Sequence, residues 1–176
     1  MLYSFNWRRS ESRNMARGNV EQDRSEAALE VRQVELGSPE YRATVELRNQ
    51  ILRVPLGLEL TPADLASDPS SYHLACFCKG DIVGCLLLFP RSDTEVAMRG
   101  VAVASNSQGQ GVGRAMVEYS EQFALRHGFS LMTLDAREMA VPFYERLGYV
   151  KYGERFEKVT VPHWKMSKRL SSEHGA

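Results

Sequence analysis

The stretch that decides the fold is "VAVASNSQGQGVGRAMVEYSEQFA", residues 101–124. An apolar, strand-like segment leads into a loop with Gly109, Gly111 and Gly113, and a helical apolar pattern then runs from Val112 to Phe123. Glycines at such a junction expose backbone amides, and the first amides of a helix lie at the positive end of its dipole. The stretch therefore predicts an anion site suited to a diphosphate. A glycine-rich turn without a ligand is the alternative interpretation.

The glycine spacing excludes two common phosphate loops. A dinucleotide loop needs G-x-G-x-x-G after the first strand of a parallel unit. Here Arg114 stands where the third glycine would be, and the preceding strands form an antiparallel meander. A Walker loop needs Gly-Lys-Ser/Thr after four intervening residues, and that pattern is absent from the sequence.

The rest of the chain predicts one mixed sheet with helices on both sides, an α/β (α+β) fold with a mostly antiparallel central sheet. A helix is expected to start at Ser38 and Pro39, where a capping oxygen precedes a proline, and to stop before Pro55. Thr61 starts a second, short helix, with Asp64 as its capping partner. Further helices are expected at 111–126 and 141–147, and strands at 31–36, 72–78, 82–89, 95–103, 130–136, 149–153 and 158–170.

Length and composition fit one globular domain with its own core. The chain has 176 residues with 22 basic and 22 acidic side chains, so its bulk charge favours neither nucleic acid nor an anionic membrane. The longest apolar run, Ile82 to Phe89, is shorter than a membrane span. Cys76, Cys78 and Cys85 lack the spacing of a zinc site, so we expect reduced thiols, no metal and a cytoplasmic protein.

The two ends of the chain differ from its middle. Residues 1–29 mix both charges with Ser, Asn and Gly and show no sustained period, which predicts a flexible N-terminal extension. The folded domain is expected to span residues 30–170, and residues 171–176 are expected to form a flexible tail.

Two motifs together resemble the GNAT N-acetyltransferase superfamily. Gln108, Gly111 and Gly113 are similar to its acetyl-CoA signature, Gln/Arg-x-x-Gly-x-Gly/Ala after a strand. The later "LDAREMAVPFYERLGYV", residues 134–150, is similar to the family's strand–helix segment ending in Tyr-x-x-Leu-Gly-Tyr/Phe. The resemblance covers residues 31–170 and implies the acyl-CoA N-acyltransferase fold. Within it, "LRVPLGLE" and "TVPHWKMSKRL" are similar to the bacterial ElaA-like and YjcF-like branch.

The resemblance implies acetyl-CoA as the cosubstrate. Its pantetheine arm would pair with the strand edge at Val101, Ala102 and Val103, as an added strand does. Phe143 either packs against the cosubstrate or belongs to the core. The residues implied to hold the diphosphate, through their amides and with the Arg114 side chain as an additional charge, are Gln108, Gly109, Gln110, Gly111, Val112, Gly113 and Arg114.

The resemblance also implies the chemistry. Tyr144 matches the family tyrosine that protonates the departing thiolate, and a packing role is the alternative. For the general base the sequence leaves His163, Glu59, Glu95 and a chain of waters open.

The expected acceptor is the primary amine of a small molecule or a peptide. Arg53 either binds an anionic group of the acceptor or caps a helix. Asp135, Arg137 and Glu138 either border the acceptor cleft or form a solvated loop. The resemblance favours a homodimer, and we expect neither nucleic acid nor a membrane as partner. A non-catalytic acyl-CoA-binding module is the alternative function, although it would have no need of Tyr144.

Overall fold

The computed structural model describes residues 28–171, so most of the predicted N-terminal extension and of the C-terminal tail lies outside the described residues. The strands are β1 (Leu29–Val34), β2 (Tyr72–Cys78), β3 (Asp81–Pro90), β4 (Glu95–Val103), β5 (Leu131–Arg137), β6 (Val150–Lys158) and β7 (Val161–Arg169). The α-helices are α1 (Pro39–Leu52), α2 (Pro62–Leu65), α3 (Val112–Arg126) and α4 (Val141–Arg146). None of the helices in the described part is long and apolar enough to cross a membrane.

The seven strands form one sheet in the order β1-β2-β3-β4-β5-β7-β6. Every neighbouring pair is antiparallel except β4 and β5, which run parallel because α3 connects them as a crossover. The mixed, mostly antiparallel sheet and the β2-β3-β4 meander predicted from the sequence are therefore confirmed.

The helix starts follow the capping signals of the sequence. The Ser38 side chain accepts a hydrogen bond from the Tyr41 amide at 3.0 Å. Thr61 and Asp64 form a reciprocal capping box at the start of α2. Both helices place proline in the first turn, where no amide partner is needed.

The predicted bounds of three strands, β1, β6 and β7, were wrong. β1 begins at Leu29, two residues before the predicted strand and inside the segment assigned to the extension. β6 continues through Arg155 to Lys158, where a gap between strands was expected. The chain turns at Val159 and Thr160, whose φ angles of 51° and 60° are unusual for β-branched residues. No glycine marks this turn, which explains why the sequence did not reveal it.

Adjacent residues of β3 show that helices cover both faces of the sheet. A Cβ added at Gly84 would lie 2.9 Å from Val112 and Met116, so α3 packs closely on that face. The Cys85 thiol lies 3.6 Å from the Thr44 carbonyl of α1, on the opposite face. The main core lies between α3 and the sheet, and Met98, Met116, Met132 and Met166 are among its fully buried residues. The three cysteines are unpaired thiols, as predicted.

The inner face of α1 is more polar than its apolar pattern suggests. Its two buried residues are Thr44 and Arg48, whereas the apolar and aromatic side chains spaced along the helix, Tyr41, Val45 and Leu52, are only half-buried. Arg48 reaches across the sheet face to Asp68, which lies in a short 3-10 turn at Asp68–Ser70. This polar layer lies beside the site described next.

Candidate active site

β4 and β5 separate part of the way along their length. The first cross-strand pair is Glu95 with Leu131, and the last is Met98 with Leu134. After Met98 no residue of β4 pairs with β5. β4 nevertheless continues to Val103, held on its other side by β3. The strands therefore form a V-shaped opening, in which the edge of β4 from Arg99 to Val103 faces away from β3.

The glycine loop lies at the end of β4. Gly109 and Gly111 have φ angles of 75° and 84°, and an added Cβ would meet nothing within 4 Å at either position. Gly111 is the N-cap of α3, and the first intrahelical hydrogen bond runs from the Ala115 amide to the Gly111 carbonyl. The amides that precede Ala115 in the helix therefore point out of its N-terminus, where the dipole is positive.

At Gly113 the lack of a side chain matters for packing and not for backbone conformation. Its φ is not positive, but an added Cβ would lie 3.3 Å from the Phe143 ring. The Phe143 ring in turn packs edge-on to Tyr144, with 5.0 Å between the ring centroids. Gly113 thus lets the first turn of α3 approach α4, which brings the two sequence motifs together.

The polar residues of the loop mainly hold the loop itself. The Gln108 side-chain amide donates to the Val103 carbonyl at 3.1 Å and ties the loop to the end of β4. Gln110 donates to the Asn106 carbonyl at 2.8 Å. Arg114 lies 3.3 Å from Glu118 one turn along α3, and its side chain is 59% exposed, so the guanidinium is accessible at the helix start.

A cavity of about 550 Å³, which we call the loop cavity, opens between the glycine loop, β4 and α4. Among the residues predicted to bind the cosubstrate, those that line it are Val101, Val103, Gln108, Gly109, Gly111, Gly113, Arg114 and Phe143. Ala102, Gln110 and Val112 do not line it. The side chains of Ala102 and Val112 are buried in the protein interior, so only their backbones are available to a ligand.

A second cavity of about 490 Å³, the sheet cavity, lies on the α1 face of the sheet, between α1, β4, β5 and β7. Polar groups make up about half of its wall, and several of them are charged side chains. The two cavities share three lining residues, Val101, Ala140 and Tyr144. They therefore meet where β4 and β5 separate.

Tyr144 stands at this junction on α4. It is buried, and burial raises the pKa of its hydroxyl well above the ordinary value. The phenol therefore keeps its proton at neutral pH and can donate it. Its ring packs edge-on against Tyr149 with 5.7 Å between the centroids, which fixes its orientation.

His163 lines the sheet cavity from β7. It is buried, and its ring lies beside Phe156 with 5.8 Å between the centroids. Its Nδ1 is 2.9 Å from the Val161 carbonyl, and because a carbonyl only accepts, Nδ1 carries the hydrogen. In the neutral imidazole Nε2 then keeps its lone pair.

The other candidate bases differ in position. Glu95 lines the sheet cavity, half-buried, and accepts a hydrogen bond from the Thr133 hydroxyl at 3.1 Å. Glu59 is exposed and lines neither cavity.

Three of the four charged residues named from the sequence form ion pairs, and the fourth, Arg137, binds a backbone carbonyl. Arg53 binds Asp64 at 2.8 Å, and Asp135 accepts from Lys158 at 2.7 Å. Arg137 donates to the Leu52 carbonyl at 2.8 Å and so joins β5 to the end of α1. Glu138 binds Arg155 outside the cavity.

Sequence reasoning missed several residues of the site. Arg48, Asp68 and Arg99 line the sheet cavity. An arginine on the inward face of a helix is a usable signal for Arg48, since such a residue needs a buried partner. The 3-10 turn that presents Asp68 has no comparable signature.

The site and the fold define an acyltransferase architecture of the GNAT type. The Acetyltransferase (GNAT) family model matches residues 35–149, which is more than half of the chain. The chain therefore belongs to the GNAT acetyltransferase family.

Two curated relatives carry related names. The N-acetyltransferase family 8 member 3 of Rattus norvegicus is 32% identical over 109 residues, covering 53% of this chain and 48% of the rat protein. The chain thus matches about half of that relative's length. The uncharacterized N-acetyltransferase YitI of Bacillus subtilis is 26% identical over 120 residues, covering 65% of this chain and 80% of that protein.

Solved structures share the fold. An acyl-CoA N-acyltransferase from Pseudomonas aeruginosa superposes with a TM-score of 0.71 at 24% identity, covering 80% of this chain and 99% of that one. A GNAT family acetyltransferase from Elizabethkingia anophelis with acetyl-CoA bound gives 0.65 at 14% identity, covering 81% and 98%. Escherichia coli ElaA gives 0.68 at 18% identity, covering 81% and 100%. At these identities the likeness concerns the fold, and the ElaA-like branch stays a prediction.

Proposed function

We propose that this protein transfers the acetyl group of acetyl-CoA to a primary amine. The observation that carries the proposal is the junction of the two cavities at Val101, Ala140 and Tyr144. The loop cavity is bordered by glycines and by the amide end of a helix, whereas the sheet cavity is bordered by charged side chains. A thioester that reaches the junction from the loop side meets an amine that comes from the sheet side.

The loop cavity fits coenzyme A chemically. Glycines with open space above them allow phosphate oxygens to approach the amides at the start of α3, and the helix dipole favours their charge. Arg114 adds an accessible cation at the same place. The structural relative that holds acetyl-CoA supports the same ligand here.

The edge of β4 supplies the second part of the binding site. Beyond Met98 it has no partner in β5, so the amide groups of a pantetheine arm can pair with it as an added strand would. A backbone amide of this edge near Val101 is the group we propose for the thioester carbonyl, where negative charge develops during attack.

Two side chains would move the protons. An alkylammonium has a pKa of about 10.4, so the acceptor must lose a proton before its nitrogen can attack. We assign that proton to Nε2 of His163, whose Nδ1 is held by a carbonyl. As the new carbon–nitrogen bond forms, the nitrogen gives up its second proton to solvent, and as the carbon–sulfur bond breaks, Tyr144 donates its proton to the departing sulfur. Solvent then returns a proton to the phenolate and takes the proton held by His163.

The role of His163 has its own test. His163→Gln removes the base but keeps a side chain able to bind the Val161 carbonyl. We expect kcat to fall while acetyl-CoA binding stays intact. An unchanged kcat would assign the base to Glu95 or to water.

The proposed function is tested by release of free thiol from acetyl-CoA in the presence of a library of primary amines. Amine-dependent release, with one N-acetylated product for each thiol, is the expected result. Calorimetric binding of acetyl-CoA without release by any amine would favour a non-catalytic acyl-CoA-binding module. The homodimer and the cytoplasmic location remain predictions.

A further inference from the structure

The wall of the sheet cavity carries an excess of positive charge. Seven basic and four acidic side chains line it, a difference of three charges in a chain whose overall charge is zero. The excess is therefore local to the space from which, on the proposed function, the amine acceptor arrives.

Most of these charges are already paired. Three of the acids bind basic neighbours, in the pairs Arg48–Asp68, Arg53–Asp64 and Lys158–Asp135. The fourth acid, Glu95, accepts from the Thr133 hydroxyl. Among residues 28–171, this leaves four lining cations with no carboxylate within 4.0 Å, which are Arg91, Arg99, Arg137 and Lys165.

Arg99 and Arg137 differ from the other two because they are half-buried, whereas Arg91 and Lys165 are exposed. Arg99 makes one long hydrogen bond of 3.3 Å to the Ser67 hydroxyl and lies over the Phe89 ring. Arg137 donates only one bond, to the Leu52 carbonyl. A guanidinium has five donors, so each of the two retains unused donors at the cavity wall.

The surroundings of both guanidiniums disfavour their charge. Burial lowers the pKa of Arg99, and the neighbouring Arg91 lowers it further. Burial likewise lowers the pKa of Arg137, with an additional effect from Arg53. Both guanidiniums are therefore partly desolvated, and an anion bound between them would offset that cost.

Register places these two arginines close to the proposed reaction centre. Arg137 and His163 are cross-strand partners, so their side chains are neighbours on the cavity face. Arg99 follows Met98, the last β4 residue that is paired with β5, and lines the same cavity as Arg137 and His163. A compact molecule can therefore present its amine to His163 and a second group to the arginines.

We propose that the acceptor carries an oxyanion close to its primary amine, and that Arg99 and Arg137 bind this oxyanion. The favoured group is a carboxylate, which makes an amino acid or a related amino carboxylate the substrate class. The planar fork of each guanidinium matches the two oxygens of such a group. This inference rests on the proposed function, because it describes the acceptor of the same transfer.

The first experiment compares matched acceptors by thiol release from acetyl-CoA. The pairs are glycine and glycinamide, β-alanine and β-alaninamide, and L-phenylalanine and L-phenylalaninamide, with 2-aminoethylphosphonate as the alternative oxyanion. We expect each acid to exceed its amide in kcat/KM by about 10-fold or more. The amide's amine is less basic and so more often neutral, which means that amine ionisation cannot produce this preference.

The second experiment uses Arg99→Gln and Arg137→Gln, with Arg126→Gln as the control because Arg126 is exposed at the end of α3 and lines neither cavity. We expect the first two variants to lower kcat/KM for the acids about 10- to 100-fold more than for the matched amides, and the control to lower neither. Arg99→Lys keeps the charge but loses the fork and should restore part of the loss.

Each result decides one of the two proposals. If only the phosphonate is preferred, the oxyanion site stands but the carboxylate assignment is wrong. Neutral amines that react as well as the acids, with no effect of either arginine substitution, would overturn the inference while leaving the proposed acetyl transfer intact.

If no amine releases thiol, the proposed transfer is wrong, and calorimetric binding of propionate to the acetyl-CoA complex still tests the oxyanion site. Binding that depends on Arg99 and Arg137 would support it, and no binding would overturn it.

Discussion

Arg48 and Asp68 form an ion pair that is almost completely removed from water. Two of the Arg48 guanidinium nitrogens bind the two Asp68 oxygens at 2.5 and 3.3 Å, and the side chains are 6% and 2% exposed. Asp68 also accepts from the Tyr41 hydroxyl at 2.9 Å, and the His73 ring nitrogen lies 2.9 Å from its carbonyl. The pair therefore joins α1, the 3-10 turn and β2 at one wall of the sheet cavity.

Asp68→Asn should destabilise the fold strongly. It leaves the Arg48 charge buried without a counter-ion, and breaking such a pair costs about 3–5 kcal/mol. The free energy of unfolding, measured by urea denaturation, should fall by that amount. Glu118→Gln is the control, because it breaks the exposed Arg114–Glu118 pair, with side chains 59% and 56% exposed, and should change the free energy by only about 0.5 kcal/mol or less. Equal losses of unfolding free energy in the two variants would show that the buried pair stabilises the fold no more than the exposed pair does.

Gly111→Ala should affect both stability and cosubstrate binding. At a φ of 84° an alanine costs about 1–2 kcal/mol, and its methyl group would stand over the amides at the start of α3. Gly37→Ala is a matched control with a φ of 79° and open space around the added Cβ, away from both cavities. We expect similar shifts in the unfolding midpoint for both variants.

Only Gly111→Ala should weaken acetyl-CoA binding, by about 10-fold, because only this methyl group would obstruct the proposed diphosphate site at the start of α3. Calorimetry of both variants with acetyl-CoA measures the difference. Equal affinities would remove the loop from the cosubstrate site.

The sequence predicted the parts of the site that depend on local chain geometry. Gly109 and Gly111 need positive φ, and Ser38 and Thr61 cap helices, so each leaves a local signature. Arg99 is different, because its importance depends on where β4 and β5 separate. That position follows from the register of two strands distant in sequence, and periodicity along a single strand does not contain it.

The turn between β6 and β7 is another feature that local sequence patterns do not reveal. Val159 and Thr160 favour extended conformations, yet they form the turn between β6 and β7. The pairing of β6 with β7 outweighs their local preference. The burial of Arg48 on α1 is a similar case, because a buried arginine needs a counter-ion and Asp68, distant in sequence, supplies it.

Asp64→Asn should lower stability in a manner that depends on pH. Hydrogen bonds from the Thr61 backbone, followed by Arg53, lower the pKa of Asp64 to about 2. Because this value lies below the unfolded value of about 3.9, the ionised carboxylate stabilises the fold above about pH 4 and the effect is lost as pH falls toward about 2. The difference in melting temperature between wild type and variant should therefore be largest near neutral pH and shrink at pH 3.

Asp93→Asn, in the exposed turn between β3 and β4, is the control and should show little effect at either pH. A difference for Asp64→Asn that stays constant from neutral pH to pH 3 would mean that its charge contributes nothing. The amide oxygen of asparagine can still accept the Thr61 hydrogen bonds, whereas its amide nitrogen replaces the oxygen that binds Arg53, so the variant removes the ion pair.

Tyr144→Phe should slow the reaction without weakening acetyl-CoA binding. The substitution keeps the ring against Phe143 and Tyr149 and removes only the proton donor. Because a thiolate leaves fairly readily without help, we expect kcat to fall by about 100-fold. Burial raises the pKa of Tyr144, so its proton stays in place through neutral and mildly alkaline pH. Its ionisation should therefore not reduce the wild-type rate below about pH 10.

Tyr149→Phe is the matched control for this variant. Tyr149 is also a buried tyrosine, but its hydroxyl lies 3.0 Å from the Met132 sulfur and it lines neither cavity. Its loss should affect stability rather than kcat. Steady-state kinetics and calorimetry on both variants separate the two effects. A Tyr144→Phe enzyme with wild-type kcat and intact acetyl-CoA binding would remove Tyr144 from the mechanism and leave solvent as the proton donor.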